Sequence, residues 1–319
     1  MSSVKNKNIA VVGGGMTGVT AARTLANAGA NVTVYEKSRG LGGRLATRRL
    51  DGGFSADHGA QFMVAEGAAF QQFLASAEKS GDIAEWTQSE ADEKWYVGLP
   101  AMNSFLKTEP LGFDLKVSTH VSAAAAAEGG VNLTMQDGSA AHYDYAVLTA
   151  PAPQAEAMVN QAHPDMAAEL SAVEIAPNWT LMLVFADPID PGFTVWDDER
   201  PTLGWIARNS SKPGRDFAAD SWTIQAGTGW SEQFLELGKE EAAERLFEAF
   251  QELVGRPLPK PIVQTAHRWR YARTVKPLGN PFLKEPVGRL YIAGDWCLGP
   301  GVECAFESGL AAAKNVLTR

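Results

Sequence analysis

The chain has 319 residues, 45% of them hydrophobic, a formal net charge of −9 and only two cysteines. That length and apolar content suit one large globular unit or two interleaved ones, with ample core. The acidic balance argues against general nucleic-acid binding and against an anionic membrane surface, and no apolar run approaches the ~20 residues of a transmembrane span.

In chain order, Ile9-Ala10-Val11-Val12 predicts a buried strand. Gly13-Gly14-Gly15-Met16-Thr17-Gly18 follows it and opens a helix. Gly13 permits a tight turn, Gly15 lets the backbone approach a pyrophosphate, and Gly18 lets the helix pack close to the sheet. With Met16 and Thr17 in its first turn, the helix offers free N–H groups and a positive dipole end to phosphates. Val19, Ala22, Leu25 and Ala26 give it one apolar face, and Gly29 sits where a left-handed C-terminal residue belongs. Val32-Thr33-Val34-Tyr35 predicts a second strand, ending at Glu36, an acid placed to accept hydrogen bonds from ribose hydroxyls. The continuation Lys37-Ser38-Arg39-Gly40-Leu41-Gly42-Gly43-Arg44 turns this dinucleotide-binding unit from NAD towards FAD, and the chain towards redox chemistry.

Residues 44–62 read as loop and short strands. A helix carrying Phe70, Phe73, Leu74 and Ala77 stops near Gly81, and 82–111 read as irregular structure over a site. Strands are expected at 113–121, 131–136 and 142–148, with Asp137-Gly138 as a hairpin turn and the alanine run 123–127 as a connector. Beyond Pro151 the texture changes. Residues 179–185, 203–208 and 222–225 predict strands of a separate sheet, and 239–254 an amphipathic helix ended by Gly255 and Pro257. Leu290-Tyr291-Ile292-Ala293 predicts a strand running into Gly294-Asp295, and 302–317 an alanine-rich helix. The expected architecture is α/β. A discontinuous Rossmann-type FAD-binding domain (1–62, 112–170 and 284–319) carries an inserted α+β substrate domain (63–111 and 171–283).

The N-terminus is short and polar and enters the first strand directly, so it does not read as a signal peptide. Cys297 and Cys304 form no C-x-x-C pair, which points to a cytoplasmic location with reduced thiols. The scattered histidines give no metal-ligand spacing, so no metal is expected.

Gly294-Asp295 resembles the second FAD motif of flavoproteins, whose Asp holds the ribityl or pyrophosphate region. The helix opened by Gly301-Val302-Glu303 can then stabilise negative charge at the flavin N1/O2 edge, with Glu303 either in a direct role or as a helix-start acid favoured by the dipole. Residues 37–44, Asp57-His58-Gly59-Ala60-Gln61-Phe62, 204–215, 267–272 and 294–297 resemble bacterial renalases. The resemblance implies a fold like p-hydroxybenzoate hydroxylase and noncovalent FAD. It also implies oxidation of the 2- and 6-dihydro isomers of NAD(P), with O2 as acceptor and hydrogen peroxide as product. The implied FAD contacts are Gly13, Gly15, Met16, Thr17, Gly18, Glu36, Lys37, Arg39, Gly43, Arg44, Gln61, Phe62, Val121, Gly294, Asp295, Val302, Glu303 and Ala305, with Trp296 a further candidate for the flavin wall. Gln61, Trp205, Trp269 and Tyr271 are the expected catalytic face.

Only one complete G-x-G-x-x-G is present, so a nicotinamide nucleotide would enter the flavin cleft as substrate. Its phosphates need local cations. Arg208, Lys212 and Arg215 are taken as the substrate-phosphate site, with Arg268, Arg270 and Arg273 as the other cluster. A solvated face or internal salt bridges are the plainer reading of either. Hydride transfer from a dihydropyridine needs alignment rather than a strong base, so His58 and His267 are expected to hydrogen-bond backbone.

Two other readings compete. In a flavin amine oxidase, Tyr271 could form one wall of an aromatic cage. However, Val302 stands where the second ring belongs, and no cysteine lies near 262–271 for a covalent flavin link. A desaturase or porphyrinogen-type oxidase would want a membrane-facing apolar surface that the sequence does not display. The other reading is a catalytically idle FAD-binding protein.

Overall fold

The computed structural model describes residues 4–87, 93–198, 200–215 and 219–319. Its organising element is the apolar strand Asn8–Val12, central in a six-stranded sheet. The order across that sheet is Leu283–Lys284, Leu290–Ile292, Tyr145–Leu148, Asn8–Val12, Asn31–Tyr35 and Asp114–Lys116. All neighbours are parallel except the Leu283–Lys284 edge. Strands of this kind are buried on both faces, which is why 9–12 read as an unbroken apolar run. Ile9 and Val11 face the helices Met16–Asn27 and Val302–Leu317, with Ala22, Leu25, Ala312 and Val316 in the same core. Ala10 and Val12 point the other way, into a core shared with Leu133, Tyr143 and Val159.

That second layer corrects two expectations. The alanine run 123–127 is no connector: Val121–Ala127 is a strand, antiparallel to Gly130–Met135. Alanine has weak strand propensity, so the local signal was missing. Its small side chains suit close packing against the helix Ala152–Val159, and the pairing to Gly130–Met135 decides the conformation. The expected strand 113–121 is accordingly broken, since Asp114–Lys116 joins the parallel sheet and Ser118 turns the chain at φ 52°. Residues 142–148 likewise divide at Asp144 into Ala140–Tyr143 and Tyr145–Leu148, which belong to different sheets. The Asp144 carboxylate anchors the break by accepting Asn8 N–H at 2.9 Å and Lys7 Nζ at 3.0 Å. The Asp137-Gly138 turn does join Gly130–Met135 to Ala140–Tyr143 as a hairpin.

Residues 174–276 supply a five-stranded antiparallel sheet, ordered Val195–Trp196, Leu203–Arg208, Asp220–Ala226, Glu174–Phe185, Val263–Lys276. The helix Lys239–Val254 covers one face, burying Leu246 and Phe250 against Trp179, Leu181 and Trp222. The fourteen-residue strand Val263–Lys276 extends on both sides of the motif at 267–272. From the other face, Asn178, Trp205, Gln225, Trp269 and Tyr271 look into a cleft shared with the parallel sheet. Within 82–111 the chain forms a short hairpin, Ile83–Glu85 with Tyr96–Gly98, and a 3-10 turn, Ser104–Lys107; residues 88–92 lie outside the described residues.

Candidate active site

The cleft has a volume of about 1790 Å³ and runs from the glycine turn to the antiparallel sheet. At its first pole, Gly13 takes φ +115° and donates its N–H to Tyr35 O at 2.8 Å. A Cβ on Gly18 would collide with the Gly13 carbonyl oxygen, so Gly18 serves helix packing and does not itself line the cleft. Gly15 ends the turn and opens the helix with no side-chain cap. A Cβ there would meet nothing within 4 Å, which leaves room for a phosphate beside the free N–H groups. Gly43, with φ +52°, lies against Gly15, while Lys37, Met16, Thr17 and Val121 complete this part of the lining. The Glu36 carboxylate accepts Gly14 N–H and Ser38 N–H, each at 2.7 Å. Strand end, glycine turn and acid are thereby locked in one frame.

At the middle of the cleft, Arg44 forms a two-pronged ion pair with Asp295. Nη1 lies 2.8 Å from Oδ2, Nη2 pairs with Oδ1, and Nη1 also reaches Ala272 O at 3.2 Å. Thr274 Oγ1 donates to the same carboxylate at 3.1 Å. Two residues predicted from separate motifs, 251 positions apart, thus form one clamp joining both sheets. Beyond it, Val302 and Ala305 line the cleft at the uncapped start of the last helix. Glu303 also lines it, but its carboxylate accepts Glu66 N–H at 2.9 Å and Gly67 N–H at 2.6 Å, at the start of the helix Ala68–Lys79. Glu303 thus sits in the first turn of its own helix, as the helix-start reading has it, and also accepts backbone N–H groups at the start of a second one. Gly294 is also off the cleft. It donates N–H to Ser308 Oγ at 2.9 Å, and its missing Cβ makes space for the Trp296 ring. Arg39 is exposed and off the cleft.

The second pole is aromatic. Phe62 stacks on Trp95 with centroids 4.1 Å apart and ring planes at 12°, and Trp205 leans on both. The Trp205 Nε1 is buried with no hydrogen-bond partner among the described residues. Trp269 donates Nε1 to His58 O at 2.8 Å, and the rings of His58, His267 and Trp269 pack with centroids 4.5–4.9 Å apart. Burial first, then His267, pushes His58 down to about 3. Burial, then Arg48 and Lys239, pushes His267 down to about 4. Both imidazoles are therefore neutral at pH 7 and weakly basic. Folding disfavours their protonated forms, so their joint contribution makes stability fall as pH drops from about 6.5 towards 4. His58→Asn or His267→Asn is expected to lower the rate of flavin reduction by less than about tenfold. A loss of several orders of magnitude in rapid-mixing absorbance would assign an acid–base role instead.

The expected phosphate site is corrected. The Lys212 side chain is 0% exposed and that of Arg215 2%, both paired with Asp57, while Arg208 Nε holds Asp220 Oδ1 at 2.6 Å. None of the three lines the cleft. The loop that carries them folds inward, where a cation needs a buried counter-charge rather than a ligand. Of the other cluster, Arg268 and Arg270 line the cleft but share Glu236. Arg273 is exposed along the lining. Arg48 and Lys239 join it there. These two escaped the sequence reading because they lie on separate elements, a short strand and a helix start, with no shared spacing.

A parallel sheet with a glycine turn, two uncapped helix starts aimed into one cleft and a facing aromatic sheet define a dinucleotide-dependent oxidoreductase. Residues 11–77 match the model of an NAD(P)-binding Rossmann-like domain, and residues 83–317 that of flavin containing amine oxidoreductases. The chain belongs to the flavin containing amine oxidoreductase family. A carotenoid 3,4-desaturase of Haloarcula japonica is 40% identical over 75 residues, 24% of this chain and 15% of that protein. An L-amino-acid oxidase of Bothrops pauloensis is 50% identical over 52 residues, 16% and 10% of the two chains. The chain thus matches no more than about a sixth of the length of these curated relatives. Over the whole chain, the fold is shared with a protein from Exiguobacterium sp. 255-15 assigned as a protoporphyrinogen oxidase. The TM-score is 0.78 at 15% identity, over 100% of this chain and 99% of that one. A putrescine oxidase bound to putrescine matches with TM-score 0.73 at 13% identity, over 98% and 99%. No helix among the described residues is long and apolar enough to cross a membrane.

The cofactor is FAD, held noncovalently, and the residues present fit it. The glycine turn and first helix would hold the pyrophosphate and Glu36 the adenosine ribose. The Arg44–Asp295 clamp and the last helix would hold the flavin end. When bound, FAD supplies a two-electron acceptor for a hydride.

Proposed function

We propose that this chain is an FAD-dependent oxidase of isomeric dihydronicotinamide dinucleotides. The net reaction takes 2- or 6-dihydroNAD(P), O2 and a proton to NAD(P)+ and hydrogen peroxide. The observation that carries this reading is the charge and chemistry of the aromatic pole. Arg48 and Lys239 stand close enough to His267 to keep it neutral, and with Arg273 they line the cleft, as do Glu66, Asp197 and Glu307. Such a field repels a protonated amine and attracts a polyanion. Trp205, Trp269 and Tyr271 supply flat apolar surfaces for a dihydropyridine ring and exclude water, while Gln61 and Phe62 form the facing wall. No strongly basic side chain is needed, because the dihydropyridine already carries its hydride at an activated carbon.

The amine-oxidase alternative has the family and the putrescine-bound fold relative in its favour. Against it stand the cations beside His267 and Val302 in place of a second cage ring. The domain division stated above and a cytosolic location belong to the same proposal. The location rests on the two cysteines of the sequence, which form no C-x-x-C pair.

The deciding experiment is anaerobic rapid mixing, followed near 450 nm, with 6-dihydroNAD, ordinary NADH or putrescine. Bleaching by the isomer alone, reversed by O2 with peroxide release, is the expected result. Bleaching by putrescine alone would replace this reading with the amine-oxidase one. In the double variant Arg48→Glu/Arg273→Glu, the dissociation constant of the dihydronicotinamide is expected to rise by roughly ten- to a hundredfold. Binding unchanged by that charge reversal would remove the phosphate role from these arginines.

A further inference from the structure

Behind the loop 57–62 lies a charged cluster that neither cofactor contact nor substrate recognition uses. Arg215 alone meets the Asp57 carboxylate well, with Nη2 at 2.7 Å and Nε at 3.2 Å from Oδ2. Thr47 Oγ1 at 2.5 Å and Met102 N–H at 3.3 Å serve Oδ1. Lys212 is therefore a second cation on a carboxylate already satisfied. Its Nζ stands 3.3 Å from Asp57 Oδ2 but only 2.9 Å from Gln61 Oε1. Burial draws the ammonium down to about 8, with Asp57 opposing and Arg215 adding to that effect. A methionine of similar length would pack beside Trp86 without this desolvation cost. What it could not do is hold Gln61. With Oε1 on Lys212, the Gln61 amide turns Nε2 to Asp57 O at 2.7 Å and Gly59 O at 3.0 Å, curling the loop around itself. His58, Gly59, Ala60, Gln61 and Phe62 all line the cleft. Of the described residues in the cluster, two are cations and one is a carboxylate, so it carries one net positive charge.

We propose that Lys212 is a positioning residue for the FAD site. Acting through Gln61, it fixes the 57–62 loop along the flavin and sets a buried positive charge behind it, which favours the electron-rich reduced cofactor. This rests on FAD as cofactor and is independent of which substrate reduces it.

The test uses the FAD-loaded full chain with Lys212→Met and Lys212→Gln. Flavin reduction is poised by xanthine and xanthine oxidase against a reference dye, so no natural substrate is involved. Both variants are expected to shift the reduction equilibrium towards oxidised flavin by about tenfold, about 30 mV for a two-electron couple. Apoprotein unfolding temperature should hold steady or rise in Lys212→Met. In a Gln61→Met background the further shift from Lys212→Gln should shrink to the part due to the buried charge, because the positioning part runs through Gln61. An unchanged equilibrium in both single variants overturns the proposal. So does a shift seen only where apoprotein stability and FAD retention fall together, which marks a structural role. A full-sized shift in the Gln61→Met background overturns the route through Gln61.

Discussion

Asp57→Ala is expected to destabilise the apoprotein by roughly 3–5 kcal/mol, because it strands Lys212 and Arg215 in the interior without a counter-charge. In a chain of 319 residues that corresponds to about 5–8 °C in unfolding temperature. Scanning calorimetry at pH 7, below the Lys212 value of about 8, measures it, and a shift below about 2 °C would show that the two cations find other partners. The pH dependence carries a definite sign. Burial alone would raise the Asp57 carboxyl, but Lys212, Arg215 and Thr47 outweigh it and hold it well below the usual carboxylate range. Its stabilising contribution is therefore complete above the unfolded carboxylate pKa of about 4 and is lost as pH falls towards the folded value. Asp57→Asn should flatten the loss of stability on acidification below about pH 4.

Gly18→Val is expected to weaken FAD binding by roughly ten- to a hundredfold. The added Cβ would enter the space of the Gly13 carbonyl, with Thr149 Oγ1 2.9 Å away on the same side. The helix Met16–Asn27 can accommodate it only by moving off the turn, which carries its N–H groups away from the pyrophosphate. Flavin retained after desalting and a fluorescence titration of the apoprotein measure the effect. Stoichiometric flavin retention in the variant would mean that the turn tolerates the side chain.

The FAD half of the site was legible in the sequence because its parts are local. Gly13, Gly15, Gly18 and Glu36 sit at fixed offsets around one strand–helix–strand unit. Backbone geometry ties those offsets to function: Gly13, Gly15 and Glu36 line the cleft, while Gly18 packs the helix and lies off it. The last helix was legible for the same reason. The substrate half was not. Arg208, Lys212 and Arg215 are close in sequence and look like an anion site. Whether a cation meets solvent or a buried carboxylate depends on Asp57 and Asp220, of which Asp57 is about 150 residues distant from its partners. Arg48 and Lys239 gave no signal, since no spacing links residues on separate elements, whereas Arg273 was visible beside Arg268 and Arg270. The alanine strand Val121–Ala127 was missed because its pairing partner, not its composition, makes it a strand.

By itself, then, the sequence determined the dinucleotide-binding unit, the FAD motifs at both ends and the apolar faces of the principal helices. These are properties of short stretches whose hydrogen bonding and periodicity are closed locally. Only the tertiary structure decided which cations line the cleft, which histidines are neutral, and that Glu303 caps a second helix. Each of those depends on the local dielectric and on charges brought in from distant parts of the chain, and both come into being only when the two sheets close on each other.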